Sequence, residues 1–375
     1  MEEKNSRSYY IMHKDLPTCK VGLDGTCEIF EEAFLPYGIY LENESILDNR
    51  IDIRLNNLEN FYHWCATRML TLDRVYAKEI LNSIGRSQAV TDRDRAEIAI
   101  AYRCLSLTDV YWIKTEEDSA VYETINLYDH SLSDAFVDVA LRGKQLSAQN
   151  AGLIDDADVA GDIGTAGVTP KAWIRRNGEF LLLKDGDEKE VRAELLASKI
   201  IDCFDVDHVR YEADEYDGKL VSSSKIMTGH DKSIVPFEHV EIYAMNHDID
   251  IWEFIKIKDN YSYQMMNIMD YLVGNTDRHR GNWGFMADNE SNKLLGLHPL
   301  MDFNKAFLSY DTEEGARCLT TSQNMSQKEA AIIAVKETGL NQVADVDESW
   351  FEEFGDPKIL AMFNKRFEVL RNIEV

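Results

Sequence analysis

The run Asn275-Thr276-Asp277-Arg278-His279-Arg280-Gly281-Asn282 breaks off a helical pattern that starts at Ile251, and Met301-Asp302-Phe303-Asn304 answers it further on. Between them, WGFMADNESNKLLGLHPL reads as a strand, a polar turn and a second strand. Residues equidistant from a hairpin turn pair across the ladder, so a turn centred on residue 292 predicts Asn282 beside Asp302. Asp277 lies on the loop feeding that hairpin. Two carboxylates and an amide around one small volume are hard oxygen donors, of the kind that hold Mg²⁺ with phosphates. Taken singly, each is an ordinary polar turn residue. The set in register is what points to a site.

Such an arrangement suits phosphoryl transfer. One aspartate, Asp277, orients the attacking hydroxyl and takes its proton, while Asn282 and Asp302 hold metal that neutralises charge on the γ-phosphate. That chemistry also needs a strand lysine for the α/β-phosphates and a helical glutamate to position it. Lys184 ends the apolar strand EFLLLK, and Glu194 lies in the helical segment EVRAELLASKIIDCF. A lysine ending a strand is commonly a snorkelling edge residue. Upstream, Gly161-Asp-Ile-Gly164-Thr165-Ala-Gly167 offers backbone amides to a phosphate. The order is glycine-rich loop, strand, Asn177-Gly178 turn, strand ending in lysine, helix with glutamate, then D-x-x-x-x-N and a second aspartate. It is the order of parts in a protein-kinase-like fold.

The motif N-T-D-x-H-x-x-N at 275–282 resembles the catalytic loop of the HipA-like serine/threonine kinases, bacterial enzymes often found as toxins of toxin–antitoxin pairs. Gly164-Thr-Ala-Gly167-Val-Thr-Pro170-Lys171-Ala172 is similar to that family's phosphate loop. Glu194-Leu-Leu-Ala197-Ser198-Lys199-Ile200 is a further match, and Met301-Asp302-Phe303 resembles its metal-binding position without the glycine of D-F-G. The resemblance covers roughly 150–375. It implies ATP and Mg²⁺ as cofactors, Asp277 as catalytic base, and Asn282 and Asp302 as metal ligands. It also implies Lys184 and Glu194 as the ATP-holding pair, and Gly164, Thr165 and Gly167 on the phosphates. His279 would brace the loop. The family's phosphate loop can be autophosphorylated, which makes Thr165 and Thr169 the candidate hydroxyls.

The expected fold is therefore α+β: a two-lobed protein-kinase-like domain at 149–375, with a small β-rich lobe at about 149–250 and an α-rich lobe at about 251–375. A mainly helical region, 1–148, precedes it. There Thr91-Asp92-Arg93-Asp94 reads as a capping box, and Ser131-Leu-Ser133-Asp134 as the start of a helix ending at Gly143. The second hairpin turn is expected at Asp217-Gly218. Residues 1–148 contain no constellation that reads as chemistry, and they do not resemble the short N-terminal domain of the toxins.

Composition bounds the partners. The 375 residues carry 40 Lys plus Arg against 67 Asp plus Glu, a formal charge of −27. That balance argues against direct nucleic-acid binding and against an anionic membrane. With 45% hydrophobic residues the acidic chain is still able to bury a large core. No 18-residue apolar run and no secretory start are evident, and the six cysteines lack a C-x-x-C pair. The expectation is a cytoplasmic enzyme with a protein substrate and an antitoxin or regulatory partner. The other readings are a kinase-fold enzyme for a small molecule or phosphoinositide, a nucleotide-binding pseudokinase scaffold, and a metal hydrolase built on His279 and His298. The hydrolase matches no zinc spacing.

Overall fold

A computed structural model describes residues 7–48, 50–85, 91–130, 134–145, 165 and 167–374. The chain divides into two compact units. The first is Met1–Leu182 with Ile226–Ser233 and Ala287–Lys293, and the second is Leu183–Lys225, Ile234–Met286 and Leu294–Val375. The expected boundary at 148/149 lies outside the described residues, as does the Ser131–Ser133 cap. The division observed falls inside one strand, between Leu182 and Leu183.

The first unit is built on a sheet of order β3-β2-β1-β4, with β1 at Ser8–His13, β2 at Leu16–Gly22, β3 at Cys27–Ile29 and β4 at Tyr111–Lys114. Alternation of buried Ile11, Cys19 and Val21 sets the register, in which Ile11 faces Cys19 and Tyr9 faces Val21. Strand β4 arrives from far along the chain and pairs Met12 with Trp112. Helices α1 (Ile51–Thr67), α2 (Ala77–Ser83), α3 (Asp92–Ala101), α4 (Tyr122–Ile125) and α5 (Asp134–Arg142) complete the region. The Thr91–Asp94 capping box forms as expected, and Gly143 closes α5 with φ +62°. Helices are abundant here, and a four-stranded sheet organises them. Its strands are short and its fourth member is local to none of the others, which hides it from periodicity.

Strands β5 (Lys171–Arg176) and β6 (Glu179–Lys184) turn at Asn177 (φ +54°) and Gly178 (φ +84°), the positive angles a two-residue hairpin demands. Trp173 and Phe180 pack there with Trp112, Leu127 and Tyr128.

In the second unit the end of β6 leads into α6 (Glu188–Ile201), capped by the Asp187 carboxylate on the Glu190 amide. Strands β7 (Tyr211–Tyr216) and β8 (Lys219–Lys225) pair across Asp217-Gly218, with Tyr216 facing Lys219. After β9 (Lys232–Pro236) and α7 (Phe237–Asn246) comes α8 (Ile251–Val273), buried along its second half. A break at Asp259 is tied down by its own side chain, which accepts from Ser262 N and Leu297 N. The hairpin β10 (Gly284–Asp288) and β11 (Lys293–Leu297) forms, but His298 N donates to Gly284 O, which centres it on residue 291 rather than 292, and Asn282 and Asp302 lie outside both strands instead of pairing across the ladder. Helix α9 (Gln327–Thr338) packs on α8, and α10 (Pro357–Arg371) ends the chain. All six cysteines are buried and unpaired, and no described helix is long and apolar enough to cross a membrane.

Candidate active site

The apolar run of β6 delivers Lys184 into the interior, where it is 6% exposed. A buried ammonium needs compensation, and two carboxylates give it: Nζ lies 2.7 Å from Glu194 Oε1 and 3.0 Å from Asp302 Oδ1. Glu194 reaches it because the buried stripe of α6, Val191, Leu196 and Ile200 among its members, turns that face inward. The other Glu194 oxygen accepts from Ser222 Oγ at 2.5 Å. Tyr211 closes the group. Its ring lies 5.0 Å from Nζ, and its hydroxyl accepts from Asp302 N at 3.0 Å. Burial pulls the Lys184 pKa down, but Asp302 and Glu194 outweigh it and hold the ammonium well above its ordinary value. Burial also pushes the Tyr211 phenol up. The snorkelling alternative for Lys184 is excluded by this geometry.

The catalytic-loop motif begins where α8 stops. Gly274 takes a left-handed conformation (φ +63°), and a Cβ there would sit 2.4 Å from the Tyr310 ring. Glycine is thus required twice over, for the angle and for the space. Arg278, 2% exposed, folds back onto α8: Nε and Nη2 meet the Asp270 carboxylate at 2.9 and 3.0 Å. Its Nη1 donates to Asn282 O at 2.8 Å and also to Met301 O, and its guanidinium stacks 4.9 Å from the Phe303 ring. One arginine therefore gathers both ends of the hairpin. Asn275 adds a link from Nδ2 to Asp302 O at 3.4 Å.

Within this frame Asn282 Nδ2 donates to Asp277 O at 2.8 Å, and His279 Nδ1 accepts from Gly281 N at 3.0 Å. The bracing expected of His279 is what its ring does. Asp277 is half-buried. Burial and the Asp302 charge raise its carboxyl above the usual range, against a lowering by His279. Asp302 has φ +61°, a strained angle for a residue with a side chain. His298 is buried and braces Pro299 O through Nδ1 at 2.8 Å. Among the described residues no three of His, Cys, Asp and Glu gather as a metal cage, so the hydrolase reading finds no centre.

Lys184, Glu194, Asp277, Asn282 and Asp302 thus all belong to the second unit, and the first, second and last are in direct contact. Of the glycine-rich loop, Gly161 and Gly164 lie outside the described residues. Thr165 and Gly167 belong to the first unit: Thr165 is buried and its hydroxyl accepts from Trp173 Nε1 at 3.0 Å, and Gly167 has φ +102°. Thr169 is half-buried. Arg278, Asp270, Ser222 and Tyr211 escaped the sequence reading. The signal for the first two was present, since an acid inside the apolar end of a long helix must be paired.

No protein-family model and no curated protein matches the chain. Solved structures do. A Shewanella oneidensis MR-1 toxin–antitoxin complex of HipA, HipB and operator DNA is similar over 98% of this chain and 100% of that one, with a TM-score of 0.58 at 12% identity. The Helicobacter pylori proinflammatory kinase CtkA matches 54% of this chain and 92% of its own, with a TM-score of 0.42 at 15% identity. The chain has the α+β fold of that HipA.

Proposed function

We propose that the protein is an ATP- and Mg²⁺-dependent phosphotransferase, a HipA-like serine/threonine protein kinase. The observation that supports it is the Lys184 ammonium held between Glu194 and Asp302. Two carboxylates share one lysine, and Asp277 adds a third acid whose pKa is raised by burial and then by the Asp302 charge. This surplus of negative charge fits a divalent cation, which takes one or two carboxylates and completes its shell with phosphate and water.

In this reading Asn282 and Asp302 are the metal ligands. Mg²⁺ bound with ATP supplies charge neutralisation on the β- and γ-phosphates. Lys184 holds the α/β-phosphates and Glu194 fixes its position. Asp277 takes the proton of the acceptor hydroxyl, and burial makes it a stronger base than a solvated carboxylate. Gly164, Thr165 and Gly167 are the proposed phosphate-loop residues. Residues 149–250 and 251–375 are the two lobes, and 1–148 recognise substrate or regulator in the cytoplasm. Thr169 is the more accessible hydroxyl for autophosphorylation, and phosphosite mapping after incubation with ATP tests it.

An antitoxin-like protein is the proposed partner. The charge-based expectation of no direct nucleic-acid binding is withdrawn, because the similar HipA was solved with HipB and operator DNA. A net charge constrains the whole surface, not a local patch or what a bound partner contributes.

The test is transfer of ³²P from ATP with Mg²⁺ to the protein itself and to a generic acceptor, comparing wild type with Asp277→Ala and Asp302→Ala. Label that both variants lose is the expected result. ATP binding without label on any protein would move the assignment to a small-molecule kinase or a pseudokinase.

A further inference from the structure

The geometry points to Lys305 as the residue that binds the γ-phosphoryl group, an assignment that rests on the kinase reading above. The positive φ of Asp302 turns the chain sharply after the proposed metal ligand. Phe303, Ala306 and Phe307 are then buried, and Phe307 N donates to Val273 O at 2.9 Å. This anchored turn presents Lys305 from a rigid base, with its side chain 38% exposed.

The Lys305 ammonium is paired with Glu190, one helical turn before Glu194 on α6. Glu190 in turn lies against Gly186, where a Cβ would come within 2.6 Å of its Oε2, two residues beyond Lys184. The two lysines thus rest on successive carboxylates of one helix face, Lys184 on Glu194 and Lys305 on Glu190. Lys305 also acts electrostatically on the Asp277 carboxyl.

The other basic side chains of this region have partners of their own, His279 Nδ1 accepting from Gly281 N. Arg278 is buried and bound to Asp270 and two carbonyls. Lys184 is enclosed by Glu194 and Asp302. Arg280 pairs with Glu241 at 2.9 Å. A partly exposed lysine–glutamate pair is weak, so a phosphate bearing two charges can draw Lys305 off Glu190 at little cost. Such a cation adds to the metal in balancing charge on a transferring phosphoryl group.

The test compares binding of ADP and of a non-hydrolysable ATP analogue, each with Mg²⁺, to the full chain and to Lys305→Met, Lys305→Arg and Glu190→Gln. Loss of a charge-assisted contact predicts that Lys305→Met binds the ATP analogue about tenfold more weakly while its ADP affinity is kept. Its turnover falls on the order of 10²-fold. Lys305→Arg should recover part of both. Glu190→Gln should bind the analogue at least as well as wild type. Equal loss for both nucleotides, or a Glu190→Gln variant that copies Lys305→Met, would mean that the pair only holds α6 and would overturn the assignment. Unchanged binding in Lys305→Met overturns it while leaving the kinase reading intact. A wild type that binds neither nucleotide overturns both.

Discussion

Arg278 and Lys184 are both buried cations of the second unit, yet the groups around them are balanced differently. Arg278 meets one carboxylate, Asp270, through two nitrogens and spends a third on the carbonyls of Asn282 and Met301. Charge is matched one to one, and the guanidinium fork is filled. Lys184 meets two carboxylates, and Asp277 stands near the second of them. The first arrangement is complete without a ligand and acts as scaffold. The second carries surplus negative charge, which suits the cation proposed above.

Removing one charged member from each centre should therefore have opposite consequences. Asp277→Ala should lower phosphate transfer by 10³-fold or more, since general-base and positioning effects are lost together. It should leave the thermal midpoint unchanged or slightly higher, because a half-buried carboxyl with a raised pKa is no asset to stability. A large drop in midpoint would place Asp277 in the scaffold instead. The raised pKa also sets the acid limb of the pH–rate profile: activity needs the deprotonated form, so it should fall on acidification at a pH above the ordinary carboxylate range.

Arg278→Met tests the scaffold side. Asp270, 5% exposed, would be left with Asn275 Nδ2 at 3.2 Å as its side-chain donor among the described residues. Breaking a buried pair from one side costs about 3–5 kcal/mol, readable by urea denaturation. The double variant Arg278→Met/Asp270→Leu should recover much of that stability without recovering activity, because the hairpin ends would no longer be gathered. A single variant as stable as wild type would break the comparison.

What the sequence made legible follows the same divide. Lys184, Glu194, Asp277, Asn282 and Asp302 were singled out by residue type and order along the chain, and the first, second and last meet directly. Arg278 sits inside the same motif, but its role depends on a partner eight residues back on α8 and on the left-handed turn at Gly274, neither of which spacing alone discloses. Ser222 and Tyr211 are further still, contributed by strands whose polar side chains look solvent-facing in sequence. The turns at Asn177-Gly178 and Asp217-Gly218 were legible because their backbone angles restrict composition. The β1–β4 sheet was not, since β4 pairs with β1 across most of the first unit. The glycine-rich loop contrasts with both, for its amides are chosen by backbone freedom and two of its glycines lie outside the described residues.

Two buried histidines extend the comparison to pH. His298 in the second unit and His13 in the first are each held near pKa 4, chiefly by burial. Unfolded histidine titrates near 6.5, so between those values the unfolded chain binds more protons and stability falls as pH falls. Each contributes a loss of about 2 kcal/mol between pH 7 and pH 5. Replacing His298 by Gln should flatten that slope for the second unit while His13 keeps it for the first. An unaltered slope in the melts would show that His298 is not the neutral brace described.

The smallest effect separates the units most cleanly. Both contain a complete capping box, Thr91 with Asp94 on α3 and Ser326 with Glu329 on α9. Removing either hydroxyl by alanine substitution should cost about 1 kcal/mol of stability. The residue after Ser326 is Gln327, whose Nε2 donates to Asn275 O at 2.6 Å at the head of the catalytic loop. Helix α3 belongs to the first unit. Ser326→Ala should therefore lower turnover several-fold in addition to its stability cost, while Thr91→Ala lowers stability alone. Equal turnover in the two variants would mean that α9 supports the loop through packing rather than through that single amide.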